Sequence, residues 1–409
     1  MTEDLDVEGC VLREGTPEDA VCGVVPGRVA RPTDTEALAR LLAAARRSGL
    51  SVTARGGGTA LDWGAPPRSL DLLVDASALS WIDHNAGDLV VEAGAGTPVA
   101  ELHEALAAAG QRLSHDPVRI GCSVGGAVAT GVSGPRRLLS GALRDLVIGM
   151  TVVRADGVVA RSGGRVVKNV AGYDLAKLHT GGFGTLGVIA SVAFRLHPVP
   201  NALRVVSAPV RSTEAAERAL ASLRASTVVP AAVELERPQG GPDGHAKLTV
   251  VLEGTPEGLA TRVAETEHAL GGEAEVAQEL PKDWGVLAAE GSLVQVSVPP
   301  SEFPSAAQAL GGLAGGGSGA DAHITGSVPA GALYAAFPPG ASAEAVAALL
   351  DGARSHPHWS AALLRAEPHV HAAGVDPWGE VPGLALMRSV KDSLDPGHRL
   401  SPGRFAGGI

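Results

Sequence analysis

The chain is poor in cysteine, with three in 409 residues, at Cys10, Cys22 and Cys122. No C-x-x-C occurs, so a four-cysteine iron–sulfur or zinc centre is excluded within this chain, and so sparse and odd a set fits a reducing compartment, the cytoplasm. No apolar run is long enough to span a bilayer. The start, Met1-Thr2-Glu3-Asp4-Leu5-Asp6, is acidic, which argues against a secretory leader. The net charge is −11 and there is no basic stripe, which speaks against nucleic acid or an anionic membrane as partner.

Glycine is plentiful, 54 in all, and its placement says more than its number. Gly182-Phe183-Gly184-Thr185-Leu186-Gly187 spells the G-x-G-x-x-G dinucleotide fingerprint. In a Rossmann unit those glycines follow a strand and open a helix. Here the order is reversed. A helical stretch, Asp174–His179, precedes them, and the β-branched, alternating run Val188–Leu196 reads as a strand after them. The glycines therefore turn the chain into a strand, and any ligand they meet is held by another fold.

Two further glycine loops lie upstream. Arg55-Gly56-Gly57-Gly58-Thr59 follows the short strand Leu50–Ala54, so its N–H groups could converge on an anion or simply make a tight turn. Ser123–Gly134 is built of small residues, either a ligand wall with Ser123, Thr130 and Ser133 as hydroxyls or the packed start of a helix. Lys168-Asn169-Val170-Ala171-Gly172-Tyr173-Asp174 leads into the fingerprint. Around these loops, Thr33-Asp34-Thr35-Glu36 reads as a capping box opening a helix that Gly49 ends. Pro98 opens a helix running to Ala109. Asp145–Arg154 and Val158–Arg161 read as a hairpin around Asp156-Gly157.

Beyond Pro200 the pattern changes to strand–helix–strand–strand–helix–strand over 204–277, and again over 292–366. Each run has the order of a split βαβ unit, giving an antiparallel sheet with helices on one face. Leu313–Gly319 reads as a flexible connector within the second run.

The segments above resemble, in order, the FAD-binding PCMH-type (vanillyl-alcohol-oxidase-like) family. Within it the chain is similar to the second FAD-binding subunits of bacterial glycolate oxidases. The matching pieces run from Arg31-Pro32-Thr33 and Gly56–Thr59 through Ala93–Pro98, Gly110–Leu113 and Ser123–Gly126. They continue with Ser133-Gly134-Pro135-Arg136-Arg137, Gly141–Asp145, Lys168–Asp174 and Gly184–Ile189, and close with Leu394–Gly397 and Ser401-Pro402-Gly403-Arg404. The resemblance implies an α+β fold: a two-part FAD-binding domain followed by an antiparallel-sheet cap domain of ferredoxin-like βαββαβ units. It places a lead-in at 1–27, the FAD domain at 28–200, the cap at 201–380, and a segment returning to the FAD domain at 381–409.

It also implies that Gly56, Gly57, Gly58 and Thr59 line the FAD pyrophosphate. Ser123, Gly125 and Gly126 would face it or the flavin, with Thr130, Gly131 and Ser133 nearby and Gly184, Gly187 and Val188 beyond. Some members hold FAD through a histidine at the end of the first loop; Thr59 stands there, so FAD is expected to be non-covalent. Ser123 and Ser401 replace the threonine and asparagine that the family commonly carries.

The implied chemistry is oxidation of a small 2-hydroxy acid, with a catalytic flavin subunit and an Fe–S subunit as partners. A self-sufficient oxidase or dehydrogenase and a non-catalytic assembly subunit are the alternatives. Lys168, Tyr173 and His115 are the candidate catalytic side chains, while Arg136, Arg137 and Arg144 suit either an anion or subunit docking. Pro368-His369-Val370-His371 reads as a strand with two histidines on one face, but no third ligand accompanies them, so no metal is expected.

Overall fold

A computed structural model describes residues 5–165, 173–240, 245–315 and 321–409. Lys168 and the tail of the glycine connector therefore lie outside the described residues. The chain forms two compact units. One comprises Met1–Val132, Leu143–Val199 and Glu380–Ile409; the other comprises Ser133–Ala142 and Pro200–Gly379.

The first unit holds two sheets. In the four-stranded sheet, Cys10–Glu14 pairs antiparallel with Arg28–Pro32, and Leu72–Asp75 runs parallel between Arg28–Pro32 and Val52–Arg55. The helix Thr35–Arg47 buries Leu38, Leu41 and Leu42, which the 3.6-residue period puts on one face. Its N-cap is Asp34, whose carboxylate accepts the Ala37 N–H at 2.7 Å, rather than Thr33 of the expected capping box. Thr33 is occupied elsewhere, its hydroxyl donating to the Gly9 carbonyl at 3.0 Å.

The five-stranded sheet is antiparallel, in the order Ile82–Asn85, Val90–Gly94, Val188–Arg195, Val147–Val153, Val159–Gly163. Val188–Arg195 is its central strand. Seven of its eight residues are buried. Ile189, Val192 and Phe194 enter one apolar core while Val188 and Ala190 enter another, so both faces are covered. The expected strand from Asp145 starts later, because Leu143–Leu146 forms a helical turn before Val147.

The second unit carries an eight-stranded antiparallel sheet made of two ferredoxin-like units. In the first, Glu275–Ala277, Ala202–Val210, Ala246–Gly254 and Ala232–Arg237 lie side by side; in the second, His323–Ser327, Ala332–Ala336, Leu293–Ser297 and Ser360–Arg365 do. The two join edge to edge where Glu234 pairs with Ser327 and Arg237 with Ile324, which leaves neither of those edges open to stray pairing. Helices Thr213–Ala225, Pro256–Ala269, Phe303–Gly315 and Ala343–Ser355 supply the apolar side chains of one core, among them Leu220, Leu259, Phe303 and Leu349. The α+β architecture expected from the pattern is the one observed.

Ser133–Ala142 joins this unit through Arg136, whose guanidinium meets the buried Glu253 carboxylate at 3.0 Å. The Pro368–His371 stretch is corrected: Pro368–Ala372 is a helical turn, not a strand. Residues two apart on a helix diverge, so His369 and His371 do not share a face. His369 Nε2 lies 2.8 Å from the Ala341 carbonyl, and no cluster of three metal-binding side chains occurs among the described residues.

Candidate cofactor cleft

Three loops of the first unit converge on one open cleft. The strand Val52–Arg55 delivers the first loop. A β-carbon on Gly56 would collide with the Ser123 hydroxyl, and one on Gly57 with the Gly121 carbonyl, so only glycine allows this approach. Gly58 has φ of +75° and turns the chain toward Thr59. Arg55 at the loop's root is committed to carboxylates, meeting Asp19 at 2.6 Å and Asp75 at 2.7 Å. Its charge thereby sets the strand end in place.

The second loop is both of the things its composition suggests. Ser123 caps the short helix Val124–Thr130, its Oγ accepting the Gly126 N–H at 3.2 Å. The same residues, Ser123, Gly125, Gly126 and Thr130, line the cleft. Thr130 turns its hydroxyl back to the Gly126 and Ala127 carbonyls, at 3.0 and 3.1 Å, so its bonding capacity is largely spent within the helix. Gly131 ends the helix at φ +68°, where a β-carbon would lie 2.8 Å from Gly181 Cα. It serves the packing of helix against third loop and does not line the cleft.

The third loop is the fingerprint. Gly181 and Phe183 donate their N–H groups to the carbonyls of Val128 and Ala129, at 2.9 and 3.0 Å, which fastens the loop along the helix. Phe183, at φ +52°, and Gly184, at φ +71°, then bend the chain so that Gly187 and Val188 complete the wall. His179 packs behind it. Its imidazole Cε1 lies 3.2 Å from where a β-carbon of Gly187 would sit, and burial pushes its pKa down to about 4.

Arg404, from the C-terminal segment, closes one side. It is 4% exposed and donates to the carbonyls of Leu61, at 3.1 Å, and Trp63. Among the described residues its Nε has no hydrogen-bond partner, and neither has the buried Ser401 hydroxyl. Burial pulls the Arg404 pKa down, and the nearby Cys22 thiol and Asp62 push it back up.

Of the residues named from sequence, Gly56, Gly57, Gly58, Thr59, Ser123, Gly125, Gly126, Thr130, Gly184, Gly187 and Val188 line this cleft. Ser133 belongs to the other unit. His115 is buried but does not line the cleft, and Tyr173 is 92% exposed. Arg55, Phe183 and Arg404 line the cleft as well, beyond the contacts that the resemblance implies. Of the three, only Arg404 is hinted at in the sequence, by its position behind Ser401-Pro402-Gly403.

The residues fit a bound FAD. Glycines remove the side chains that would fill the cleft, and the buried Arg404 guanidinium adds positive charge to a site for a dianion. A model of the FAD binding domain matches residues 26–163. Glycolate oxidase subunit GlcE of Escherichia coli is 42% identical over 123 residues, which cover 30% of this chain and 35% of that protein. A D-lactate dehydrogenase of Archaeoglobus fulgidus is 30% identical over 256 residues, covering 59% of this chain and 57% of the relative. Glycolate oxidase subunit GlcD of Bacillus subtilis is 30% identical over 217 residues, covering 52% and 46%. This chain thus spans about a third to three-fifths of the length of these relatives. Alkyldihydroxyacetonephosphate synthase has a similar fold, with a TM-score of 0.68 at 17% identity over 92% of this chain and 76% of its own. The chain carries a PCMH-type FAD-binding domain, and FAD is its cofactor.

Proposed function

We propose that this protein is an FAD-dependent oxidoreductase acting on small 2-hydroxy acids, as the FAD-binding subunit of a glycolate-oxidase-type complex. The carrying observation is the convergence of the three glycine loops on one cleft. Backbone N–H groups of Gly56–Thr59, with the Ser123 and Thr59 hydroxyls, hold the pyrophosphate. Gly184, Gly187 and Val188 hold the opposite side. When bound, FAD would supply a two-electron acceptor within the complex. The chain's own contribution is to orient that acceptor and exclude water from it with Phe183, Leu61 and Ile189.

A subunit role is favoured by what lines the cleft. No histidine, aspartate or glutamate is among its described lining residues, so a base for the hydroxyl proton is not supplied there. Oxidation of the substrate then falls to a partner flavin subunit. Electrons leave through an Fe–S subunit, since Cys10, Cys22 and Cys122 are free and too few for a cluster. No described helix is long and apolar enough to cross a membrane.

FAD is held without a covalent bond. Thr59 cannot form one, and no cysteine lines the cleft; burial pushes the neighbouring Cys122 thiol up to about 11, which keeps it un-ionised.

Anaerobic mixing of FAD-loaded protein with glycolate or D-lactate tests the assignment. No bleaching by the isolated chain, with bleaching once its partners are added, is the expected result. Bleaching by the chain alone favours a self-sufficient enzyme, and failure to take up FAD leaves only an assembly role. Acid precipitation should release all flavin to the supernatant; a yellow pellet contradicts the non-covalent assignment.

A further inference from the structure

We propose that Lys391 is the positioning residue of the cofactor cleft, one buried ammonium that holds two of its walls in register. The inference rests on the FAD reading above. Lys391 lies in the helix Leu384–Leu394 with its side chain fully buried. Its Nζ donates to the Thr185 carbonyl at 2.6 Å, the Asp395 carboxylate at 2.7 Å and the Leu400 carbonyl at 2.9 Å. An ammonium has three donors, and all three are used.

Two of the bonds lead to different parts of the site. Thr185 stands between Gly184 and Gly187, which line the cleft. Leu400 is flanked by two bonds to Val52: the Val52 N–H donates to the Arg399 carbonyl and the Ser401 N–H to the Val52 carbonyl, both at 2.7 Å. Val52 opens the strand whose end carries Gly56–Thr59. Asp395 completes the hub by also accepting the Leu400 N–H at 2.8 Å. The first and third loops are thus tied through a single side chain.

A buried ion pair is a poor way to gain stability, because apolar side chains of similar volume do as well or better. What an apolar pair cannot do is bond two backbone carbonyls on separate segments. The position of the Gly184–Val188 wall relative to Gly56–Thr59 is what the charge secures.

The test compares the wild type with the single variant Lys391→Met and the double variant Lys391→Met/Asp395→Asn. The double variant leaves no unpaired charge and keeps an acceptor for the Leu400 N–H. FAD affinity is read by flavin fluorescence quenching, and backbone mobility by amide hydrogen exchange. The double variant should bind FAD about ten-fold or more weakly, the scale of a lost charged hydrogen bond. Its exchange should quicken at 184–188 and 399–401 and stay unchanged in the second unit.

In the wild type, FAD should protect Leu400, Ser401 and Val52 together with 184–188, although those three do not line the cleft. Protection confined to 184–188, or wild-type affinity and exchange in the double variant, overturns the proposal. If wild-type protein takes up no FAD, the functional reading falls, while exchange in the apo double variant still decides whether Lys391 holds the two segments.

Discussion

The Ser123 hydroxyl occupies the space that a β-carbon on Gly56 would need, so the first two cofactor loops touch through one missing side chain. Neighbouring Gly57 is less forgiving, since the group it faces is the Gly121 backbone carbonyl, which cannot rotate away. Gly57→Ala should therefore cost about 1–3 kcal/mol of stability and weaken FAD binding. Thermal melts and a flavin titration check both. Gly58→Ala provides the contrast. Its nearest neighbours are 3.8 Å away or more, so only the positive φ opposes it, at about 1–2 kcal/mol.

Asp19 carries the acid sensitivity of the first loop's root. Its carboxylate is 3% exposed and accepts from Arg13, Arg55 and Thr16. The Arg13 bond, against the cost of burial and aided by Arg55, holds it far below the usual carboxylate range. A depressed carboxylate pKa stabilises the fold above the unfolded value of about 4, and that stability is lost as pH falls further. Asp19→Ala should destabilise the fold at neutral pH by about 1–3 kcal/mol, because it strips the half-buried Arg55 of one of its two carboxylate partners. Asp19→Asn should flatten the loss of stability below about pH 4 in urea melts. An unchanged acid limb would place the titration elsewhere.

His179 predicts a second, milder window. Its folded pKa of about 4 lies below the unfolded value of about 6.5. Between those values the unfolded chain binds a proton that the folded chain refuses, so stability declines as pH falls through the window and no further below it. Replacing His179 with Gln should level the urea midpoint between pH 6.5 and 4. Because the ring abuts Gly187, FAD release should begin in the same range in the wild type and shift in the variant.

Ser401 combines a left-handed backbone, φ +43°, with a buried hydroxyl that has no hydrogen-bond partner among the described residues. Both are costs. Ser401→Gly should leave the fold intact and raise stability by about 1 kcal/mol, seen as a higher melting temperature. A lower melting temperature would show that the hydroxyl makes a contact which the strain protects.

Much of this architecture is legible in the chain because it is local. Strand and helix periods mark out both ferredoxin-like units, and their order alone implies the antiparallel sheet. The fingerprint, set between helix and strand, already denies a Rossmann fold. Where the reading slipped, the causes are tertiary. Thr33 lost the cap to Asp34 because Gly9 claims its hydroxyl. The pair of histidines at 369 and 371 lies on a helical turn rather than a strand.

By itself, then, the sequence determined the fold class, through strand and helix periods, and the cofactor, through a family resemblance carried by many motifs in a fixed order. Only the tertiary structure decided which groups meet across the chain. Lys391 reaches Thr185 over 206 residues, and nothing in either neighbourhood announces the partner. An i, i+4 lysine and aspartate reads as a surface pair until the fold buries it and removes the water that would otherwise satisfy the ammonium. Burial obliges such a group to find acceptors, and the acceptors it found are backbone carbonyls that any sequence would offer.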